Sequence, residues 1–303
     1  MTKRITAKSG HAARRASGAA RKSASGAAKK KAPPTIELRR MSHPNLVVEN
    51  YEASVAHFRN LYAAELVLDL PKKDWHAYLM EIGGVIIEVF APHDFFLHAR
   101  HGPHFFGIEY EADMVQVRAA VAGHGVRIAR DIDVALHTHP GDCFGVAFEF
   151  YRGSFYAKNT PHLTQQLKPP EYWLAEHPLG LAGLKSFTMA VTDLRAAAKF
   201  LKSFIGAEAI YEAERSKLKA QALGLRTADC EVELLAPTGP GPLQAELQRT
   251  GQGMRSLVFR VTNLKKAARY FKQRGVSVID GTAPGSIAVP AEANLGLLFE
   301  FSE

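Results

Sequence analysis

Four segments of this 303-residue chain repeat one order of features, and that repeat restricts the fold more than any other property of the sequence. They are HPNLVVENYEASVAHF from His43, FFGIEYEADMVQVRAAV from Phe105, SFTMAVTDLRAAAKFL from Ser186 and SLVFRVTNLKKAARYF from Ser256. Each opens with a strand pattern of period two, in which Pro44/Leu46/Val48, Phe106/Ile108/Tyr110, Phe187/Met189/Val191 and Leu257/Phe259/Val261 form an apolar face. A helix cap follows at Asn50, Asp113, Asp193 or Asn263, whose side-chain oxygen can accept from the free amides of a first turn. Apolar residues then recur at helical spacing: Val55/Phe58/Tyr62, Met114/Val117/Val121, Leu194/Ala197/Leu201/Phe204 and Leu264/Ala267/Ala268/Phe271. Each unit closes on a strand that sets a glutamate between apolar neighbours: Glu88, Glu149, Glu233 and Glu300. The first-strand position precedes that glutamate by 45, 44, 47 and 44 residues.

One such unit is too small to close a core alone, so units are expected to pair. The fold class is α+β: four strand-helix-three-strand modules paired into two domains, at 41–151 and 184–303, each with a curved mixed sheet enclosing a cleft. Residues 152–183 contain four prolines and fit neither pair. They are expected to form a linker packed across both halves, anchored by Tyr172, Trp173 and Leu174.

The formal charge of +8 belongs to one end of the chain. Residues 1–34 hold ten Lys and Arg and no acid, which leaves 28 basic and 30 acidic residues in the remainder. This tail of Ala, Ser, Gly, Lys and Arg is expected to be disordered, serving as a solubilising or polyanion-binding arm; organelle targeting is the alternative. Nucleic acid is a partner through the tail alone, since the body is not basic. No apolar stretch reaches membrane-spanning length. Two cysteines, Cys143 and Cys230, are too few for a disulfide framework, which points to a cytoplasmic protein.

Alternation puts the apolar face of each first strand under its helix, so His43, Asn45 and Val47 face the cleft. The same alternation turns Glu88, Glu109 and Glu149 into it. Imidazole and carboxylate converging in one concave space suit iron, manganese, nickel or zinc. Glu109 is a general acid or base if burial raises its pKa, and a solvated acid otherwise. His98 and His101 in the connector, and Cys143 in a turn, are expected to be structural. The second half holds Ser186, Glu233, Ser256 and Glu300 at the corresponding positions, which makes it a scaffold or substrate-shaping domain.

The chain resembles the vicinal oxygen chelate superfamily of glyoxalase, bleomycin-resistance and extradiol dioxygenase type. VTDLRAAAKFL and VTNLKKAARYF look like that family's opening of the helix, and IIEVFAP and VELLAP like its closing strand. The resemblance implies a divalent metal held by first-strand histidines and closing-strand glutamates, here His43, Glu88 and Glu149. By strand alternation the fourth position falls on Phe105. Three arrangements remain open: a bulge turns its neighbour His104 inward, His137 or His139 reaches the site, or no second histidine is present. The resemblance implies a metal-dependent enzyme acting on a small-molecule substrate, most like the dioxygenases, with His43, Glu88, His104 and Glu149 as ligands and Glu88 or Glu109 moving a proton. A glyoxalase-like lyase or isomerase and a metal-free binding protein of the bleomycin-sequestering kind are the alternatives. A homodimer is compatible with the sequence.

Overall fold

A computed structural model describes residues 32–71, 76–91, 102–157 and 163–303. The described part of the tail is therefore short, and His98 and His101 lie outside the described residues.

The first pair of modules comprises β1 (Leu38–Val47), α1 (Tyr51–Tyr62), β2 (Glu65–Pro71), β3 (His76–Ile82), β4 (Val85–Phe90), β5 (His104–Ala112), α2 (Met114–His124), β6 (Ile128–Asp131), β7 (Ala135–Thr138) and β8 (Ala147–Tyr151). The second comprises β9 (Leu181–Ala190), α3 (Leu194–Ile205), β10 (Glu208–Arg215), β11 (Ala220–Thr227), β12 (Cys230–Pro237), α4 (Pro242–Thr250), β13 (Gly253–Val261), α5 (Leu264–Gln273), β14 (Ile279–Asp280), β15 (Ile287–Val289) and β16 (Leu298–Ser302). Each pair forms one mixed eight-stranded sheet, in the order β2-β3-β4-β1-β5-β8-β7-β6 and β10-β11-β12-β9-β13-β16-β15-β14. The two orders are the same permutation, so the fourfold repeat is a repeat of structure.

Local chemistry sets the helix starts. The side chains of Asn50, Asp113, Asp193 and Asn263 each accept from an amide of the first turn, at 2.8–3.0 Å. Val85, Ile87 and Val89 of β4 and Val146, Phe148 and Phe150 around β8 enter the core, leaving Glu88 and Glu149 on the concave face. That core is continuous between the sheets, because helices of one half pack on strands of the other. Phe58 of α1 stacks on Phe299 of β16 at 6.0 Å between centroids, and Phe204 of α3 meets Phe148 and Phe150 of β8 edge-on. Residues 33–303 accordingly form one compact unit.

The segment after β8 packs chiefly on the first sheet. Trp173 is buried and donates through Nε1 to Glu81 Oε1 at 3.0 Å, and Tyr172 is half-buried. Leu174 departs from the expected anchoring and is 41% exposed, because Trp173 takes the inward position of that turn. None of the helices among the described residues is long and apolar enough to cross a membrane.

Candidate metal centre

The ladder registers bring the acidic and imidazole side chains into one row across the concave face of the first sheet. Asn45 of β1 is level with Glu88 of β4, His43 with Glu109 of β5, Glu109 with Glu149 of β8, and Glu149 with His137 of β7. All six residues are buried. His43 Nε2 lies 3.2 Å from Glu88 Oε2, and its Nδ1 lies 3.0 Å from Ser42 Oγ and 3.5 Å from Glu109 Oε1. Glu149 accepts from Asn45 Nδ2 at 2.9 Å, and its other oxygen is 2.9 Å from His137 Nε2. One ligand atom each from His43, Glu109 and Glu149 falls within 4.8 Å of the others.

Burial and charge pull these groups in different directions. Burial would depress His43, but the carboxylates of Glu109 and Glu88 raise it to about 9. Burial drives Glu109 well above the ordinary carboxylate range, and also raises Glu88 against the opposing pull of His43. In Glu149 burial is overcome by His137, His43 and Asn45, which bring it down to about 2. Adjacent carboxylates with opposite protonation preferences are the arrangement from which acid and base roles are built.

His104 lies apart from this group. Its Nδ1 is 2.7 Å from the carbonyl of Gly102, and its ring lines a separate cavity of about 410 Å³ with Arg249, Arg255 and Glu292. β5 does carry a bulge, but it does not bring His104 to the group. Asn45 pairs with Gly107 and Leu46 with Phe105, so Phe106 has no partner on β1 and turns to the concave side against Phe90, not into the core face expected for it. By register with β8, the residue that corresponds to His43 is Gly107, not Phe105: His43 precedes the partner of Glu88 by two residues, and Gly107 precedes the partner of Glu149 by two. A Cβ at Gly107 would collide with the Ala147 carbonyl oxygen, so no side chain fits there. The one signal of this in the sequence is a lone glycine inside a strand pattern.

Of the other histidines, His137 reaches the cleft, whereas His139 accepts from the Gly141 amide at 3.1 Å in the turn before β8. Cys143 is buried beside Thr138, and burial pushes its thiol up to about 12.

The cleft is a cavity of about 440 Å³. Below lie His43, Glu88, Glu109, His137 and Glu149; the walls are Leu68, Leu70, Phe90, Ile132, Val134, Tyr151 and Phe155, with Arg130 among them. The residues fit a metal ion on their own chemistry. Glu109 Oε1, Asn45 Oδ1 and His137 Nδ1 are buried with no hydrogen-bond partner among the described residues, and a nitrogen-plus-carboxylate donor set suits a divalent first-row cation.

The second cleft, of about 310 Å³, differs at this point. Glu233 is clamped by the Arg215 guanidinium, through Nε at 3.1 Å and through Nη2, and accepts from Tyr211 Oη at 2.6 Å. Glu300 accepts from Ser256 Oγ at 2.5 Å and from Thr282 Oγ1 at 2.7 Å. Fixed donors saturate these carboxylates. Arg215 arrives on β10, an element whose pairing partner is β11, and spacing alone did not reveal it.

A family model described as the glyoxalase/bleomycin resistance protein/dioxygenase superfamily matches residues 187–289. The first half has the same sheet order and module order as the second, which contains the matched residues. Over those residues, all in the second half, the chain resembles the vicinal oxygen chelate superfamily. Solved structures with a similar fold align along nearly the whole chain. A variant of 4-hydroxymandelate synthase from Streptomyces coelicolor is 14% identical, with 87% of this chain and 92% of that one covered and a TM-score of 0.68. A variant of homoprotocatechuate 2,3-dioxygenase from Brevibacterium fuscum is 12% identical over 90% and 74%, with a TM-score of 0.61. An Mn(II)-bound glyoxalase from Novosphingobium aromaticivorans is 11% identical over 88% and 82%, with a TM-score of 0.58. At these identities the likeness is one of fold. No curated protein sequence matches the chain.

Proposed function

We propose that this chain is a metal-dependent enzyme of vicinal oxygen chelate type, acting on a small oxygen-bearing substrate in the cleft of the first sheet. The observation that carries the reading is the convergence of His43, Glu109 and Glu149 within 4.8 Å, with Glu109 Oε1 buried and, among the described residues, without a hydrogen-bond partner. These three would hold the metal. When bound, it supplies Lewis acidity and a template for adjacent substrate oxygens. Glu88 orients His43 and, with its carboxyl raised by burial, can take or return a substrate proton. Asn45 and His137 fix the two oxygens of Glu149, the role of groups that orient a ligand from behind. The apolar walls exclude water from the reacting end. A dioxygenase reaction is set before a glyoxalase-like one on TM-scores of 0.68 and 0.61 for the hydroxymandelate synthase and the homoprotocatechuate dioxygenase against 0.58 for the glyoxalase, a fold-level warrant.

The test is metal analysis of the protein after incubation with iron(II), manganese, nickel or zinc and desalting, beside Glu109→Gln and His43→Ala. The expected result is one equivalent of metal per chain in the wild type, and an affinity lower by more than about 100-fold in either variant, each of which removes a ligand or its charge. No uptake of any of the four by a folded wild type would leave the second reading, a metal-free small-molecule binding protein. That reading is favoured by the ion pairs His43 already makes and by the largely apolar walls.

A further inference from the structure

We propose that Phe155, carried into the first cleft by the segment after β8, determines specificity there by restricting the site to ligands with a planar, unsaturated body. The proposal rests on the metal-centre reading above. Its basis is how this segment is built. Tyr156 Oη donates to the Ser42 carbonyl at 2.8 Å and accepts from the Ile86 amide at 3.0 Å, tying the segment to β1 and β4 at once. The Arg40 guanidinium covers the Tyr156 ring at 3.6 Å. Ser42, whose carbonyl is used, is the neighbour of His43. The anchor therefore sets the position of Phe155 relative to the candidate ligand.

Held in this way, the Phe155 ring lies edge-on to the His43 imidazole, 5.5 Å between centroids, and stacks on Tyr151 at 5.3 Å. Both aromatic rings line the cavity. Leu68, Leu70, Ile132 and Val134 contribute branched aliphatic wall. A group bound beside His43 thus extends along aromatic surface, where a flat ring gains offset or edge contacts that a flexible chain does not. The second cleft is lined differently: the residue two after Glu300 is Ser302, where the first cleft has Tyr151 two after Glu149, and Tyr211 is bonded to Glu233. Phe155 donates no ligand atom, so it acts on the substrate's body and not on the metal.

The experiment uses the full chain loaded with Mn²⁺ and two probes that present the same adjacent oxygens, benzohydroxamate and acetohydroxamate, measured by titration calorimetry. The wild type is expected to prefer the benzo compound. In Phe155→Ala that preference falls by about three- to ten-fold, the worth of one aromatic pair, while Mn²⁺ and acetohydroxamate affinities stay as they were; Phe155→Tyr restores it. A preference that is absent in the wild type, or unchanged in Phe155→Ala, overturns the proposal and leaves the metal centre standing. Failure of both probes on protein that binds Mn²⁺ also overturns it alone. If Mn²⁺ itself does not bind, the metal reading fails and the proposal falls with it.

Discussion

His177 shows how a single buried side chain ties pH to stability here. Its Nε2 donates to the Tyr62 carbonyl at 2.9 Å, and its Nδ1 accepts from the Leu179 amide at 3.3 Å. The Leu179 bond requires the neutral ring, whereas the Tyr62 carbonyl accepts from either form; burial, only partly offset by that carbonyl, lowers the pKa from 6.5 to about 4. The folded state therefore resists a proton that the unfolded chain accepts. Stability is fully present above the unfolded pKa and declines as pH falls from about 6.5 toward 4, where the unfolded state binds more protons. The expected loss is about 1–2 kcal/mol after allowing for solvent screening. His177→Gln keeps one donor and one acceptor without a titration in this range. Thermal melts at pH 7 and pH 5 should show a smaller drop in Tm for the Gln variant; equal drops would assign the acid sensitivity to other groups.

At the scale of the element, β5 is the strand where counting and structure diverge. Its neighbour β8 approaches so closely that a Cβ at Gly107 meets the Ala147 carbonyl, so Gly107→Ala must push two parallel strands apart. The expected cost is about 2 kcal/mol, and because Glu109 lies two residues on, Mn²⁺ affinity should fall as well. Gly239→Ala, where the added carbon meets nothing within 4 Å, is the control and should leave both urea midpoint and metal affinity unchanged. If Gly107→Ala matches that control, the close approach is not what excludes a side chain. The same strand explains what could be read in advance. Caps such as Asn50 and Asp193, the period-two faces and the closing glutamates were legible because side-chain chemistry and period report them directly. The register of β5 was not, since Gly107 stands only 42 residues before Glu149 whereas Ser256 stands 44 before Glu300, so a matched spacing falls on Phe105. Spacing cannot show that two residues are missing between a first strand and its closing strand, and that difference put the presumed ligand position on Phe105 in place of Gly107; the bulge at Phe106, which β13 repeats at Arg255, turns Phe105 to the core. The clamp of Arg215 on Glu233 was equally hidden, because a side chain reaching across strands leaves no periodic trace.

For the molecule as a whole, the decisive feature is that the helices are shared between the sheets. Tyr62 of α1 packs against Phe271, Phe299 and Phe301 of the second half, and its hydroxyl donates to Asn294 Oδ1 at 2.8 Å. Tyr110 of β5 and Thr227 of β11 join hydroxyls at 2.8 Å. Neither sheet can keep its apolar face covered without the other half's helices, so the two halves should unfold together although each carries its own cleft. Phe299→Ala tests this. Phe299 is fully buried among Phe58, Tyr62, Phe105 and Phe259, and its truncation should cost about 3–5 kcal/mol. Trp173 reports from the opposite end of the argument, since its indole is bonded to Glu81 on the first sheet. In urea, with Trp75→Phe in both proteins so that Trp173 is the reporter, tryptophan emission and far-ultraviolet circular dichroism should therefore shift to the same lower midpoint in Phe299→Ala, each as a single transition. A tryptophan midpoint left in place while part of the dichroism moved would show instead that the first sheet holds itself together, and that the shared helix layer couples the halves in packing without coupling their stability.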